Sequence, residues 1–453
     1  MSLPRYPEYK DSGVEWLGEI PSDWSRSALR HVVSRWYSGG TPDTDVADLW
    51  ADPDDGIAWV SISDITRSDE ISRTERALSD KGLAAKGLSV MPPRTLLISM
   101  YASIGKVATL AVPAAANQAI LGMEFDATIT TRFIYYWLQH VERNLVQFSS
   151  SNTQENLNAA KVRAIPVFVP PAVEQSYIAA FLDRETAKID ALVAEQERLI
   201  ALLKEKRQAA ISHAVTKGFH PEVPMKDSDI ELIGEVPSHW EMARLKYLVT
   251  SNSGIQMGPF GGMLLDLDSE VTGFKVYGQE NTISGDFSRG SRWISGPRYH
   301  ELANYHVTNG DLLLTRKGSL GNARLIEDLA VPGIIDSDTI RIRVDTGVIL
   351  PQFLVLLLHE SRYIGEQIGL AKRGAILPGL NTETIANLIV ALPPLHEQES
   401  LLRELEQVTV AIDRQCEDCM SVVDLLRERR SALITAAITG QIDVRGLAPA
   451  EAA

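Results

Sequence analysis

The chain has 453 residues, a formal charge of −15, 45% apolar residues and 23% charged residues. This length predicts two to four domains of ordinary globular composition. The acidic balance weighs against polyanion binding by the chain as a whole, although local patches decide such binding. Only two cysteines occur, which argues against a disulfide scaffold and fits a reducing cytoplasm. No apolar run is long enough to span a bilayer, and the opening MSLPRYPEYKDSG lacks the apolar centre of a secretory signal.

The first distinctive stretch is KDSGVEWLGEIPSDW at 10–24. It returns as KDSDIELIGEVPSHW at 226–240, with nine of fifteen positions identical at an offset of 216. The runs IAWVSIS (57–63), TLLISM (95–100) and KVATLAV (106–112) follow, each short, apolar and bounded by Gly, Pro or Asp, as strands are. A helical pattern covers 132–148, and a Pro-Pro step at 170–171 precedes a long helix. Copy two repeats the order with FKVYG (274–278), DLLLT (311–315), TIRIRV (339–344), a helical pattern at 352–368 and a second Pro-Pro step at 393–394. The offset drifts only from 216 to 223. Two copies of one unit of roughly 220 residues are a duplicated domain pair, not a solenoid. Trp24 and Trp240 are expected to pack against their domains, and Pro21 and Pro237 to fix the turn before the next element.

The long helices are expected from Glu174 to about Thr216 and again at the end of copy two. Pro is tolerated at the start of each, and Gly218 and Pro221 end the first. Leu182, Ile189, Leu192, Leu199 and Leu203 form one apolar stripe. Leu405, Ile412, Cys419, Val422, Leu426 and Leu433 form the other. Two stripes in one chain predict an intramolecular antiparallel coiled coil, each helix roughly 60 Å long, acting as a ruler between two globular units.

Catalytic motifs are missing from the sequence. No GxxxxGK[ST] loop, GxGxxG after a strand or GxSxG elbow occurs. Cys416 and Cys419 have CxxC spacing but lack a second pair for zinc, and their helical position predicts a structural role. His140, His213 and His396 have no partner at metal spacing.

Taken together, the duplicated opening phrases, SGGTP (38–42), GIAWVSISDI (56–65), TQENLN (153–158) leading to PPAVEQ, LPGLN (377–381) leading to PPLHEQ, and the twin helix ends carry a resemblance. The chain resembles the specificity subunits of type I restriction–modification systems over nearly its whole length. The resemblance implies an α+β chain with an internal pseudo-two-fold repeat. Two similar globular α/β target recognition domains would lie at 1–171 and 218–393. Spacer helices at 172–217 and 394–440 would form the coiled coil, followed by a tail at 441–453. It implies a non-catalytic subunit reading a split, asymmetric sequence in double-stranded DNA, with two modification subunits and restriction/motor subunits as partners. S-adenosylmethionine, ATP and Mg would belong to those partners, with no cofactor or metal in this chain. The residues alone leave open a specificity subunit for a fused methyltransferase–nuclease, a DNA-modifying enzyme, or a coiled-coil adaptor.

Base readout uses polar side chains from loops and strand ends. In copy one the candidates are Thr41, Ser61, Ser63, Arg67, Tyr101, Asn152, Thr153 and Gln154. In copy two they are Gln256, Tyr277, Gln279, Asn281, Arg316, Lys317, Lys372 and Arg373. The two basic pairs, with Gly318, Gly369 and Gly374 close by, are favoured, because glycine lets the backbone approach phosphate.

Overall fold

The structure is a computed structural model describing residues 4–148, 157–250, 254–264, 273–317, 321–373 and 379–447; the side chains of 143–148 and 372–373 lie outside the described residues. The chain divides into two compact units, Met1–Gln196 with Ser421–Ala453, and Glu197–Met420. Each unit therefore takes a part of both long helices.

Unit one holds a five-stranded sheet in the order 33–38, 120–125, 96–99, 107–110, 70–71 and a four-stranded sheet in the order 114–116, 57–60, 76–78, 50–51. Unit two holds two four-stranded sheets, 255–257, 339–342, 312–315, 323–325 and 293–294, 274–277, 333–335, 306–307. Both sheets of each unit follow one plan. In unit one, strand 57–60 runs parallel to 114–116, while 96–99 and 120–123 are antiparallel. In unit two the equivalents are 274–277 with 333–335, and 312–315 with 339–342. A two-stranded ribbon, 25–28 with 166–169 or 241–244 with 389–392, joins a strand near the start of each unit to the one before its long helix.

The duplicated sequence phrases do matching work. KDSG…PSDW and KDSD…PSHW each form a small hairpin, 9–11 with 19–21 and 225–227 with 235–237. Its turn delivers a wholly buried tryptophan, Trp24 or Trp240, whose main-chain N–H donates to the carbonyl of Pro21 or Pro237. Asn158 and Asn381 are N-caps, accepting from the N–H groups of Lys161 and Thr384 at 2.9 and 2.7 Å; such a side chain satisfies a helix donor that would otherwise be orphaned. Gln175 and Gln398 are buried at the start of the long helices. Each accepts from a main-chain N–H, Thr130 or Leu350, at 2.8 Å and donates to the carbonyl of Pro170 or Pro393. The pair PPAVEQ and PPLHEQ thus pins each long helix to the start of an earlier helix of its own unit, 131–148 or 351–360.

The long helices span Ala172–Lys217 and Leu395–Ile438. In unit one, Ile178, Phe181 and Leu182 share a core with Ile434, Ala437 and Ile438, and Arg430 pairs with Asp190 at 2.8 Å. In unit two, Leu203 packs with Ile412, Cys416 and Cys419, and Arg207 meets Asp413 at 3.1 Å. In both units the numbering falls along one helix as it rises along the other, so the pair is antiparallel. Both cysteines are free, buried members of this seam.

Some expected details change. The run 57–63 leaves strand after Val60, because Ser61 and Asp64 form a capping box that starts a helix at Ile62; the hydroxyl and the carboxylate each satisfy the other's end of the turn. The helical pattern at 352–368 is two helices, Pro351–Glu360 and Arg362–Arg373. Arg207 grips the Glu360 carboxylate at 2.5 and 3.1 Å, and the Gln208 amide donates to its carbonyl at 2.7 Å. Those bonds occupy the groups at the break. The apolar stripe is also narrower than expected: Leu192, Leu199 and Val422 are exposed, and Val423 takes the buried place expected of Val422. Strict periodicity does not distinguish adjacent valines; the packing against the facing helix does.

Candidate nucleic-acid interface

In each unit the parallel strand pair ends in one crest. In unit one, strands 57–60 and 114–116 stop together, and the Asn117 N–H donates to the Val60 carbonyl at 3.0 Å. In unit two, strands 274–277 and 333–335 stop together, and the Asp336 N–H donates to the Tyr277 carbonyl at 2.8 Å. A glycine crosses each crest. A Cβ on Gly39 would stand 1.9 Å from the Asn117 carbonyl oxygen, and one on Gly258 1.8 Å from that of Asp336. Only glycine permits so close a main-chain approach. The hairpin strand is tied in the same way, through Met100 N–H to the Ala119 carbonyl and Arg316 N–H to the Asp338 carbonyl, at 2.7 and 2.9 Å.

The backbone is shared, but the side chains differ. Unit one's crest is neutral. Thr41 donates to the Gln118 side-chain carbonyl, and Ser61 and Ser63 hydroxyls are 2.7 Å apart. Ser61 also donates to Asp64 at 2.6 Å, so Ser63 is the freer hydroxyl. Tyr101 is exposed on the hairpin turn. Arg67, on the last turn of helix 62–67, is exposed but engaged by Glu75. Asn152, Thr153 and Gln154 lie outside the described residues.

Unit two's crest is charged. Lys317 replaces Tyr101 and stands 2.7 Å from Asp338. Arg292 meets Asp336 at 2.9 Å. Phe260 occupies the place of Thr41, is exposed, and lies under the Arg316 guanidinium at 5.2 Å. Arg316 also donates to the carbonyls of Leu380 and Ser337 at 3.0 and 3.3 Å. It braces the crest, while Lys317 is held by Asp338. Gln279 opens the helix after strand 274–277 and reaches the Asp338 carbonyl at 3.5 Å. Gln256 lies on the strand before Gly258 and donates to the Met257 carbonyl at 2.8 Å.

Two candidates are corrected. Tyr277 and Asn281 are buried. The Tyr277 hydroxyl donates to the Val331 carbonyl at 2.6 Å, and burial pushes its pKa up to about 12. The Asn281 amide donates to the carbonyls of Asp286 and Arg289 at 3.0 and 2.9 Å, closing the loop after its own helix. Their polar groups hold the fold rather than face a ligand. Lys372 and Arg373 end the helix Arg362–Arg373 rather than standing in a loop, and their side chains lie outside the described residues. Gln118, Phe260 and Asp338 were missed. Phe260 was discoverable, because Thr41 maps onto it at the offset of 219 that aligns the neighbouring strands.

A crest of neutral donors and acceptors and a crest of charged groups on the same backbone are two different readers of polar edges. Hydroxyls and amides of the first kind pair with base edges in a groove, while a cation beside an aromatic favours guanine edges and stacked or phosphate contacts.

A family model described as the type I restriction modification DNA specificity domain matches residues 21–200. The specificity subunit of the type I restriction enzyme MjaIX of Methanocaldococcus jannaschii is 22% identical, over 97% of this chain and 98% of that protein. The EcoBI specificity subunit of Escherichia coli is 24% identical, over 77% of this chain and 74% of that protein. Among solved structures, a chain from a study of complex assembly and conformational transition of a type I R-M system covers 93% of this chain and 99% of its own length. Its TM-score is 0.70 at 15% identity. The HsdS subunit from Thermoanaerobacter tengcongensis covers 95% of this chain and 99% of its own length, at a TM-score of 0.52 and 14% identity.

Proposed function

We propose that this chain is a specificity subunit of a type I restriction–modification system, and that each of its two crests reads one half of a split, asymmetric DNA target. The observation carrying this reading is the repeated crest with unlike chemistry. One backbone plan presents Thr41, Ser63, Gln118 and Tyr101 in unit one and Phe260, Gln279, Arg316 and Lys317 in unit two. A palindromic target would call for like side chains at like positions. The recognition domains are 1–171 and 218–393, and helices 172–217 and 394–440 are the spacers.

The chain does no chemistry of its own in this reading. S-adenosylmethionine, ATP and Mg belong to the partner subunits, and the assembly works in the cytoplasm. Two modification subunits are supported by a second duplicated feature. Leu199 and Leu202 are 41% and 53% exposed on the first long helix; Val422 and Leu425, at the equivalent places on the second, are 40% and 65% exposed. Apolar pairs three residues apart share a helix face, and a large side chain left in water at both copies is the mark of a docking surface. Leu202→Glu is expected to leave folded stability within about 0.5 kcal/mol, as surface changes do, yet to strip one modification subunit from the complex; Leu425→Glu strips the other. Native mass spectrometry of the assembled complex reads the stoichiometry, and retention of two modification subunits by both variants would exclude this face.

The function itself is tested by sequencing the methylome of the source cell with and without this chain. The expected result is loss of adenine methylation at one split motif. Persistence of every methylated motif would refute the reading.

A further inference from the structure

About half of the described cations of unit one are held in ion pairs. Arg73 meets Asp54, Lys81 meets Asp48, Lys106 meets Glu142 and Arg132 meets Asp183. Among the cations without such a pair, several cluster in one region. Arg26, Arg30, His31, Arg35 and Arg163 are all exposed, and among the described residues none has an ion-pair partner. Arg26, Arg30 and His31 line an open groove together with Ala164 and Pro166, and Arg163 precedes Ala164 in the chain. Arg30 Nε donates to His31 Nε2 at 2.8 Å, so two basic groups sit side by side with no acid between them. Arg163 rests on the Trp36 ring at 5.1 Å and Arg35 on the Tyr37 ring at 4.9 Å. An aromatic face fixes a guanidinium without consuming its N–H edges, which then remain for an anion.

Arg26 also donates to the main-chain carbonyls of Ser12 and Gly13, each at 3.4 Å, but the same fold forms without these cations. Unit two folds the same ribbon, with Met242 in register with Ala391 where unit one has Arg26 with Phe168. There the equivalents of Arg26, His31 and Arg163 are Met242, Tyr247 and Ala386; Lys246 keeps a charge, and Arg244, at the place of Ala28, donates to Asn387 Oδ1 at 3.2 Å. The ribbon folds with or without the basic groove. In a chain of net charge −15, an unneutralised cluster is maintained against the average, and its fork-shaped donors match phosphate oxygens. The strand 33–38 leads from this groove to Gly39 and the crest. At about 3.3 Å per residue, Arg35 lies roughly 20 Å along the chain from Thr41, less than one turn of B-form DNA.

We propose that this groove is a phosphate clamp for the DNA backbone, present in unit one only, so that the two halves of the target are held unequally: unit one by backbone charge together with its neutral crest, unit two by its crest. The proposal rests on the DNA-reading function above. It assigns the sequence-independent part of the affinity to Arg26, Arg30 and Arg163.

The test uses the assembled complex, a duplex bearing the target and an unrelated duplex of equal length, with Kd measured across a salt series. Each phosphate contact contributes about 0.9 to the slope of log K against log salt. The Arg26→Gln, Arg30→Gln, Arg163→Gln variant is expected to lower the slope by about 2 to 3, and to weaken both duplexes by at least about tenfold at 0.15 M salt without changing their ratio. The charge-preserving variant with Lys at the same three positions should keep most of the slope. An unchanged slope overturns the proposal. So does a Lys variant as weak as the Gln variant, which would mark a packing role, or release of a partner subunit by the Gln variant, which would mark an acidic protein surface as the true occupant. Failure of the DNA-reading function appears separately, as a wild-type complex that prefers no sequence.

Discussion

Gly39→Ala is expected to abolish recognition of one half of the target while sparing the other, and Gly258→Ala to do the reverse. The added methyl carbon would stand 1.9 Å from the Asn117 carbonyl oxygen and 2.4 Å from that of Ala116; at Gly258 it would stand 1.8 Å from the Asp336 oxygen. These are main-chain atoms at the ends of a parallel strand pair, so no side-chain rotation relieves the contact. Overpacking of this kind costs about 1–3 kcal/mol, and the strain falls on the crest itself. Hydrogen bonds to bases need donor–acceptor distances of about 2.7–3.2 Å. A crest moved by even about 1 Å loses them, and each lost base pair contact costs about 1–3 kcal/mol. With two or three contacts per half-target, the loss is on the order of 100-fold or more. The measurement is binding of the assembled complex to duplexes altered in one half at a time. Gly39→Ala should make the complex indifferent to changes in one half and leave its discrimination in the other intact. Equal damage to both halves would contradict a crest-by-crest division of the target.

The second large effect concerns the buried tryptophans, and it is expected to be unequal. Trp24 is wholly buried, edge-on to Tyr6 and Phe133 at 6.1 and 6.3 Å. Its indole N–H donates to Glu174 Oε1 at 2.9 Å, and the Tyr6 hydroxyl donates to the same oxygen at 2.6 Å. Burial, and then that bond, push the Tyr6 pKa far up, so it remains a donor. Trp240 fills the same place in unit two, but among the described residues its indole N–H finds no acceptor. The matching carboxylate, Glu397, is engaged by His239 at 2.8 Å. Trp24→Ala should destabilise unit one by about 3–5 kcal/mol, the usual range for an aromatic removed from a core. The replacement by phenylalanine separates the hydrogen bond from the packing. Trp24→Phe leaves a buried carboxylate short of one donor, a loss of about 1.5–3 kcal/mol. Trp240→Phe removes a donor that has no partner, so its penalty should be confined to the volume lost. Hydrogen exchange followed unit by unit gives both numbers, and a Trp240→Phe penalty equal to that of Trp24→Phe would show that the Glu174 bond contributes nothing.

The largest architectural features were legible because they are periodic or repeated. The offset of 216 paired 95–100 with 311–315, and these are the equivalent strands 96–99 and 312–315; 339–344, set beside 106–112 in the order of runs, is instead the counterpart of 120–125, and 107–110 answers to 323–325. The Pro-Pro steps marked the helix starts at Ala172 and Leu395 to within a residue or two. The repeated EQ and LN dipeptides were visible as text. Their work as buried braces and N-caps was not, because it depends on main-chain partners far away in sequence, such as Thr130 for Gln175.

The candidate site was only partly legible. Polar residues at strand ends are common, and sequence does not say which way they face. Tyr277 and Asn281 were named for their chemistry, but their strand and helix turn them inward, where carbonyls absorb their donors. Phe260 was passed over because it is apolar, although its register makes it the counterpart of Thr41.

By itself, the sequence determined the duplication, the order of elements, the two long helices and the absence of familiar catalytic motifs, since these depend on local propensity and on comparing one stretch with another. Only the tertiary structure decided which face of each helix is buried, that two glycines bring main chain onto main chain at the crests, and that a few cations in an acidic protein stand without carboxylates. Those facts depend on distances between residues far apart in the chain, such as Gly39 and Asn117, and on what fills the space around them, which no single stretch of sequence records.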